Sequence, residues 1–370
     1  MNRLSTSNSD PLHLNARQWI VVIMLYACIC LLIDRAWLGW EQFNAGTDYR
    51  LPCFGERMSD YWEFRRWTSR ARDQYRVYLI GDSVIWGQET THNQTISHYL
   101  NERYGQDIFA NMGMDGLHHA AMRGLVKIHG QSLNEKLVLL QFNPFWMSDS
   151  NYDLRGTWKD YYHPRLIPQF NRRIAYHDRD TQQRIAVLAE RRIPIFSLVR
   201  HVMVNSFHNQ SIQQWMIQNP YSCPFTAVTF ESAPLWTKAP GPGRSWQDKG
   251  MRPQNFAWLA ASDSLQWECF QDTIRSLQKR NAQVFVLVGP YNAYMLTDDS
   301  RDRLNQLLSQ TVQWLGANNV PYFDVGDNLL PSETYADEVG HLTAAGHAIL
   351  AEALLKQDNF RKWIELQPPP

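Results

Sequence analysis

Hydrophobic and polar positions along the chain fall into distinct regimes. From Gln18 to Ile33 the sequence carries no charge and is almost continuously apolar, and Ala36, Trp37, Leu38 and Trp40 extend the run past Asp34 and Arg35. Further on, residues 76–80, 136–142, 283–288 and 320–325 are short apolar runs rich in Val, Leu and Ile. The first three end at Gly81, at Asn143-Pro144 and at Gly289-Pro290. That is the pattern of strands buried on both faces of a parallel sheet. Residues 94–101, 299–315 and 343–355 instead space their apolar positions as helices do. A strand, a tight turn and then a helix is the unit that begins a doubly wound α/β domain. The expectation is a sheet of about five strands, most of them parallel, with 320–325 at its edge.

Two stretches do not follow this rhythm. Residues 41–75 are aromatic and charged with little period, and read as a stalk leading into a short amphipathic helix. Residues 145–265 are rich in Trp, Pro, His and Asn, with one helical segment near 181–198. They read as an insertion over the carboxyl edge of the sheet, where open α/β folds bind ligands.

The apolar run near the N-terminus has three readings: a cleaved signal peptide, an uncleaved signal anchor over residues 18–40, or a buried helix. A small-x-small cleavage site is absent after it, which favours the anchor, and Trp19 and Trp37 would sit at the two membrane interfaces. Arg3 and Arg17 against Asp10 place residues 1–17 as a cytoplasmic tail and the remainder outside the cytoplasm.

Composition narrows the function classes. With 36 Lys+Arg against 36 Asp+Glu the formal net charge is zero, which gives no electrostatic case for a nucleic-acid partner. The five cysteines, Cys28, Cys30, Cys53, Cys223 and Cys269, contain no Cys-x-x-Cys pair, so neither a zinc centre nor a disulfide framework is expected. No cofactor is expected either. Among the 15 Trp, 16 Tyr and 16 Phe, two groups bear on function. Trp19, Trp37 and Trp40 flank the apolar run, while Trp146, Trp158, Tyr161, Tyr162, Trp215, Trp236, Trp246 and Trp258 fall in the insertion, where they could form a substrate-facing cap for stacking on sugars.

Candidate chemistry begins at Gly81-Asp82-Ser83. A serine in the turn between a buried strand and a helix holds its hydroxyl at the sheet end, near the amides of the helix N-terminus. Just before the last helix, Tyr335-Ala336-Asp337-Glu338-Val339-Gly340-His341 supplies a histidine with carboxylates beside it. Such a histidine can take the serine proton while an acid fixes its tautomer. The other histidines, including His118, His119, His163, His201 and His208, read as surface or loop residues. Asn292 could face the site edge or simply occupy a turn.

These residues together resemble the SGNH/GDSL hydrolase superfamily over roughly residues 76–355, the insertion excepted, within an expected domain of residues 76–360. The resemblance implies a three-layer, flavodoxin-like doubly wound sheet. It makes Ser83 the nucleophile, His341 the base, and Ser83, Gly113 and Asn143 the oxyanion donors. Family spacing puts Glu338 in the acid position, and Asp337 would need one more residue in the turn, so both stay candidates. The third block reads Gln141-Phe142-Asn143-Pro144 where the family usually has Gly-x-Asn-Asp. In architecture the chain is similar to membrane-anchored proteins that modify envelope polysaccharides, such as alginate O-acetylation and D-alanine-transfer proteins. This implies a carbohydrate O-acyl esterase or acyltransferase, with a membrane-bound acyltransferase as a possible partner. The alternative is a non-catalytic, membrane-anchored scaffold that binds glycan.

Overall fold

The computed structural model describes residues 14–41, 46–51, 55–157, 162–175, 180–231 and 244–366. Its strands are β1 (Val77–Ile80), β2 (Phe109–Asn111), β3 (Leu137–Phe142), β4 (Gln283–Val288) and β5 (Tyr322–Asp324). All pair in parallel, in the order β2-β1-β3-β4-β5, which is the flavodoxin-like doubly wound order. Four of the five were legible as apolar runs, and β5 is at the edge as expected. β2 is only three residues long and its period is too short to read.

The helices before β3 are α1 (Ala16–Trp40), α2 (Tyr61–Ala71), α3 (Ser83–Trp86), α4 (Ile96–Tyr104) and α5 (His119–His129). Those of the insertion are α6 (Thr181–Arg192), α7 (Pro194–Phe207), α8 (Ile212–Gln218) and α9 (Pro224–Ala227). The remainder are α10 (Leu265–Gln278), α11 (Asp298–Ala317), α12 (Ala344–Lys356) and α13 (Asp358–Ile364). Pro194 divides the single helix expected near 181–198 into α6 and α7, since proline lacks the amide that would continue the ladder.

Successive strand residues point to opposite faces, and this alternation sorts the core into two clusters. Tyr78, Ile80, Val138, Leu140, Val284 and Val286 pack with apolar residues of α2, α5, α10 and α11. Val77, Leu79, Leu137, Leu139, Phe285 and Leu287 pack with α4, α12 and α13. The result is three layers, with the strand ends free to carry polar residues along the carboxyl edge.

The segment expected to be a stalk is instead part of the domain. In α2, Trp62, Phe64 and Trp67 are fully buried, and the Trp67 indole donates to Asn111 O at 2.8 Å. Before it, Asn111 N–H donates to Thr47 O, which holds residues 46–51 along β2. Arg50 is buried and donates to Gly87 O and Thr90 O. Burying aromatic side chains of this size stabilises by about 1.5–3 kcal/mol each, which explains why this charged, aperiodic segment joins the core.

A capping box of Asn15 and Gln18 starts α1. The window Ala16–Ile33 has a mean hydropathy of 2.1 and is 6% buried, so the helix is long and apolar enough to cross a membrane. Its other end is locked to the domain. Glu41, the C-cap, accepts from the indoles of Trp37 and Trp62 at 2.9 and 3.0 Å. Its carboxylate lies 2.6 Å from His201 Nε2 on α7 and 3.4 Å from Arg66 Nε on α2. On its other side His201 Nδ1 lies 2.7 Å from Asp60 Oδ2. Burial disfavours the charged ring, but Asp60, Glu41 and Glu63 outweigh it and push His201 up to about 10. With a carboxylate against each ring nitrogen, His201 is the cation of this buried cluster, in which Asp60, Glu63 and His201 also lie close enough to share a metal.

Candidate active site

β1 delivers Gly81, Asp82 and Ser83 to the carboxyl edge of the sheet. Gly81 must be glycine because a Cβ there would meet Gln141 Oε1 at 2.4 Å and Ile85 Cγ1 at 2.3 Å. Asp82 caps α3 by accepting from Val84 N–H at 3.0 Å, and Gln141 Oε1 accepts the Asp82 N–H at 3.1 Å. Ser83 is thereby held at the first position of α3, where its own N–H has no acceptor within the helix. Its hydroxyl lies 2.6 Å from His341 Nε2.

His341 Nδ1 lies 2.5 Å from Asp337 Oδ2. The extra residue between acid and histidine is accommodated by a tight loop. Asp337 Oδ1 accepts from Val339 N–H at 3.1 Å and from His341 N–H at 3.3 Å. Gly340 adopts φ +97°, and a Cβ there would lie 2.5 Å from Pro290 O. A bridge between Tyr335 and Leu342 and a bond from Ala336 N–H to His341 O close the loop. Asn292 is buried and donates to Asp337 O at 3.0 Å, so it braces this loop. Among the described residues Glu338 makes no hydrogen bond to His341, and its Oε2 is buried without a partner. Of the two acids, the structure brings Asp337 onto the histidine.

The electrostatics match this chain of contacts. Burial opposes the imidazolium of His341, but the Asp337 charge and hydrogen bond, with Asp82 and Asp115 adding, raise its pKa above the ordinary value. Burial likewise opposes ionisation of Asp337, yet His341 and, more weakly, Lys249 lower its pKa. An ionised Asp337 fixes the proton on Nδ1 and leaves the Nε2 lone pair facing the Ser83 hydroxyl.

The expected oxyanion donors are near but engaged. Met114 N–H donates to Gly81 O at 3.0 Å, which sets Gly113 beside the serine turn. A Cβ on Gly113 would meet Trp86 N at 2.4 Å, so close backbone packing alone requires glycine there. The Gly113 N–H itself donates to Asn111 Oδ1 at 3.0 Å. Asn143 directs its amide to Asp82 Oδ2 at 2.8 Å and to Val339 O at 3.3 Å. Asp82, assigned no role from sequence, also accepts from the Trp146 indole at 2.8 Å. Burial raises its pKa, against the Val84 N–H, Trp146, His341 and Asn143. Asp115, also unassigned, has its pKa raised by burial while the charge of His341 opposes the rise.

Some expectations hold only in part. Of the histidines read as surface or loop residues, His118 and His163 lie in loops but are buried, His119 and His201 are buried in α5 and α7, and His208 is exposed. His118 caps α5 and bonds Tyr162 O, and His163 joins Tyr61 to Asp115 O. His119 bonds Asn143 O and stacks on Phe142. Burial pushes His118 and His163 down to about 4 and His119 to about 3. The aromatic cap also shrinks. Trp146 and Tyr162 reach the site, but Trp215 packs on Phe207, Trp246 bonds Ser332 O, and Trp258 bonds Ser300. Trp158, Tyr161 and Trp236 lie outside the described residues. Cys28, Cys30, Cys223 and Cys269 are free thiols, and Cys53 lies outside the described residues.

Fold and site together define a doubly wound α/β protein with a buried Ser-His-Asp chain at the carboxyl edge of its sheet. No protein-family model matches the chain, and no curated protein matches it in sequence.

Proposed function

We propose that the chain is a serine esterase or O-acyltransferase of the SGNH/GDSL type. In this reading it acts outside the cytoplasm, anchored by α1, on acetyl or related acyl esters of a cell-surface or exported polysaccharide. The observation that carries the chemistry is the continuous chain from Ser83 Oγ to His341 Nε2 at 2.6 Å and from His341 Nδ1 to Asp337 Oδ2 at 2.5 Å. The anchor rests on the length and apolarity of α1, and the carbohydrate substrate on the resemblance in architecture and on Trp146, which bonds Asp82, with Tyr162 against it.

His341 takes the Ser83 proton as the oxygen attacks the ester carbonyl. The Ser83 N–H at the start of α3 supports the developing oxyanion. Asn143 adds a second donor by releasing its longer contact, to Val339 O. The imidazolium then protonates the leaving alcohol, and the acyl group passes from Ser83 to water or to an acceptor hydroxyl. Ser83→Ala should abolish both p-nitrophenyl acetate hydrolysis and fluorophosphonate labelling of the full chain. Undiminished hydrolysis refutes the reading.

One observation favours a second reading, a glycan-binding scaffold without catalysis: the Gly113 amide and the Asn143 side chain both already have acceptors. Glycan binding by a protein whose Ser83 resists fluorophosphonate would support it.

A further inference from the structure

Helices α7 to α9 carry a surface the proposed chemistry does not use. Between Arg200 and Glu231 the sequence contains no Asp, Glu, Lys or Arg, in a chain that is 19% charged. A stretch this long whose one charge is the buried His201 is ordinary in a core, but here much of it is exposed. Ile217, Tyr221 and Phe225 are 78%, 101% and 88% exposed, and Ile212 and Met216 lie open beside them. Contiguous apolar surface of this kind marks an interaction site.

The position of the surface identifies what covers it. Phe230, which ends this stretch, packs its ring on Trp37 and Trp40 with centroids 4.8 and 6.4 Å apart. Its carbonyl accepts from Arg66 at 3.2 Å. At the other end of the stretch His201 holds Glu41, the C-cap of α1. The surface is therefore fastened at both ends to the last turn of α1. At 1.5 Å per residue that turn lies about 10 Å beyond Ile33, where the apolar window stops. A bilayer places its head-group region at that depth, and Trp, Tyr and uncharged amphipathic helices favour that region.

We propose that the α8–α9 surface is a second membrane contact, seated in the head-group and upper acyl region of the same bilayer that α1 crosses. This rests on the reading of α1 as a membrane anchor. Two points of attachment, unlike a single flexible tether, fix the height and orientation of the Ser83 site above the bilayer.

Native cysteines report on both claims. Cys223, exposed between α8 and α9, and Cys28, in α1, can each be labelled with an environment-sensitive nitrobenzoxadiazole. The other accessible cysteines are replaced by Ser, and the buried Cys269 is retained. The full chain is reconstituted in phosphatidylcholine vesicles, with Ser309→Cys on the exposed surface of α11 as a water reference. The expected result is blue-shifted emission, quenched by doxyl-labelled lipid, from both Cys28 and Cys223 but not from position 309. Lipid-like emission from Cys28 with water-like emission from Cys223 overturns this inference alone and leaves the surface to a protein partner. Water-like emission from both overturns the anchor as well.

Discussion

Replacing Asp337 by Asn tests the site at its most specific contact. In the native loop Asp337 Oδ1 already accepts from the amides of Val339 and His341, and Oδ2 faces His341 Nδ1. An asparagine that keeps the two amide bonds must turn its NH2 toward Nδ1. The ring then carries its proton on Nε2 and presents a donor, not an acceptor, to Ser83. In serine hydrolases this wrong tautomer costs about 10⁴-fold in rate, or about 5 kcal/mol of transition-state stabilisation.

The proposed mechanism also requires a neutral His341, whose pKa Asp337 raises. The acidic limb of the wild-type pH profile should therefore stand above the ordinary histidine value, and the residual activity of Asp337→Asn should have its limb at lower pH. Glu338→Gln touches no contact to His341 and should change the rate by no more than about 0.5 kcal/mol, a factor of about two. The measurement is kcat/KM for p-nitrophenyl acetate between pH 5 and pH 9, with the full chain in detergent. An undiminished Asp337→Asn enzyme, or a Glu338→Gln enzyme that falls as far, refutes the assignment.

Other outcomes follow from the same geometry. Asn143→Ala should lower kcat by about 10²–10³-fold with little change in KM, as loss of one oxyanion donor does; unchanged kcat would remove Asn143 from the hole. Gly113→Ala must displace the backbone of Trp86 and Ile85 and should cost about 1–3 kcal/mol in urea denaturation, whereas neutrality would contradict the packing. His201→Gln leaves Glu41 and Asp60 without their buried cation and should cost about 3–5 kcal/mol. Because the folded pKa of His201 is raised to about 10, its contribution is complete below about pH 6.5 and is lost as pH rises through about 10. The wild type should therefore lose more stability than His201→Gln between pH 7 and pH 10, and parallel losses would exclude the ion cluster as the cause.

The sheet was legible wherever a strand was long enough to show an apolar run between turn residues, which held for β1, β3, β4 and β5 and failed for β2. Burial in the first part of the domain was less legible. Arg50, Glu63 and Arg66 fall in the charged, aperiodic segment read as a stalk and short helix, yet each is buried, and partners distant in sequence hold two of them: Gly87 and Thr90 for Arg50, and Glu41 for Arg66. Local pattern holds no information about such long-range compensation. The same holds for the histidines, whose burial depends on contacts such as that between His163 and Tyr61.

The site shows the same division more sharply. Ser83 and His341 could be paired from sequence because each lies in a turn or loop just before a helix, Ser83 after β1 and His341 before α12, elements whose place in a doubly wound fold is predictable. The acid could not, because one residue of spacing decides it and spacing measures chain length, not direction. Two further contacts decide it here. Gly340 adopts a left-handed conformation against Pro290 O, and Asn292 holds the carbonyl of Asp337. Both Pro290 and Asn292 follow β4, so the identity of the acid is set by a strand that supplies none of the Ser-His-Asp chain. A substitution such as Asn292→Ala should therefore loosen the Asp337–His341 contact without touching any reacting group. Its signature would be a lowered kcat with the acidic limb shifted toward that of Asp337→Asn, and a wild-type pH profile would show that the loop holds the acid unaided.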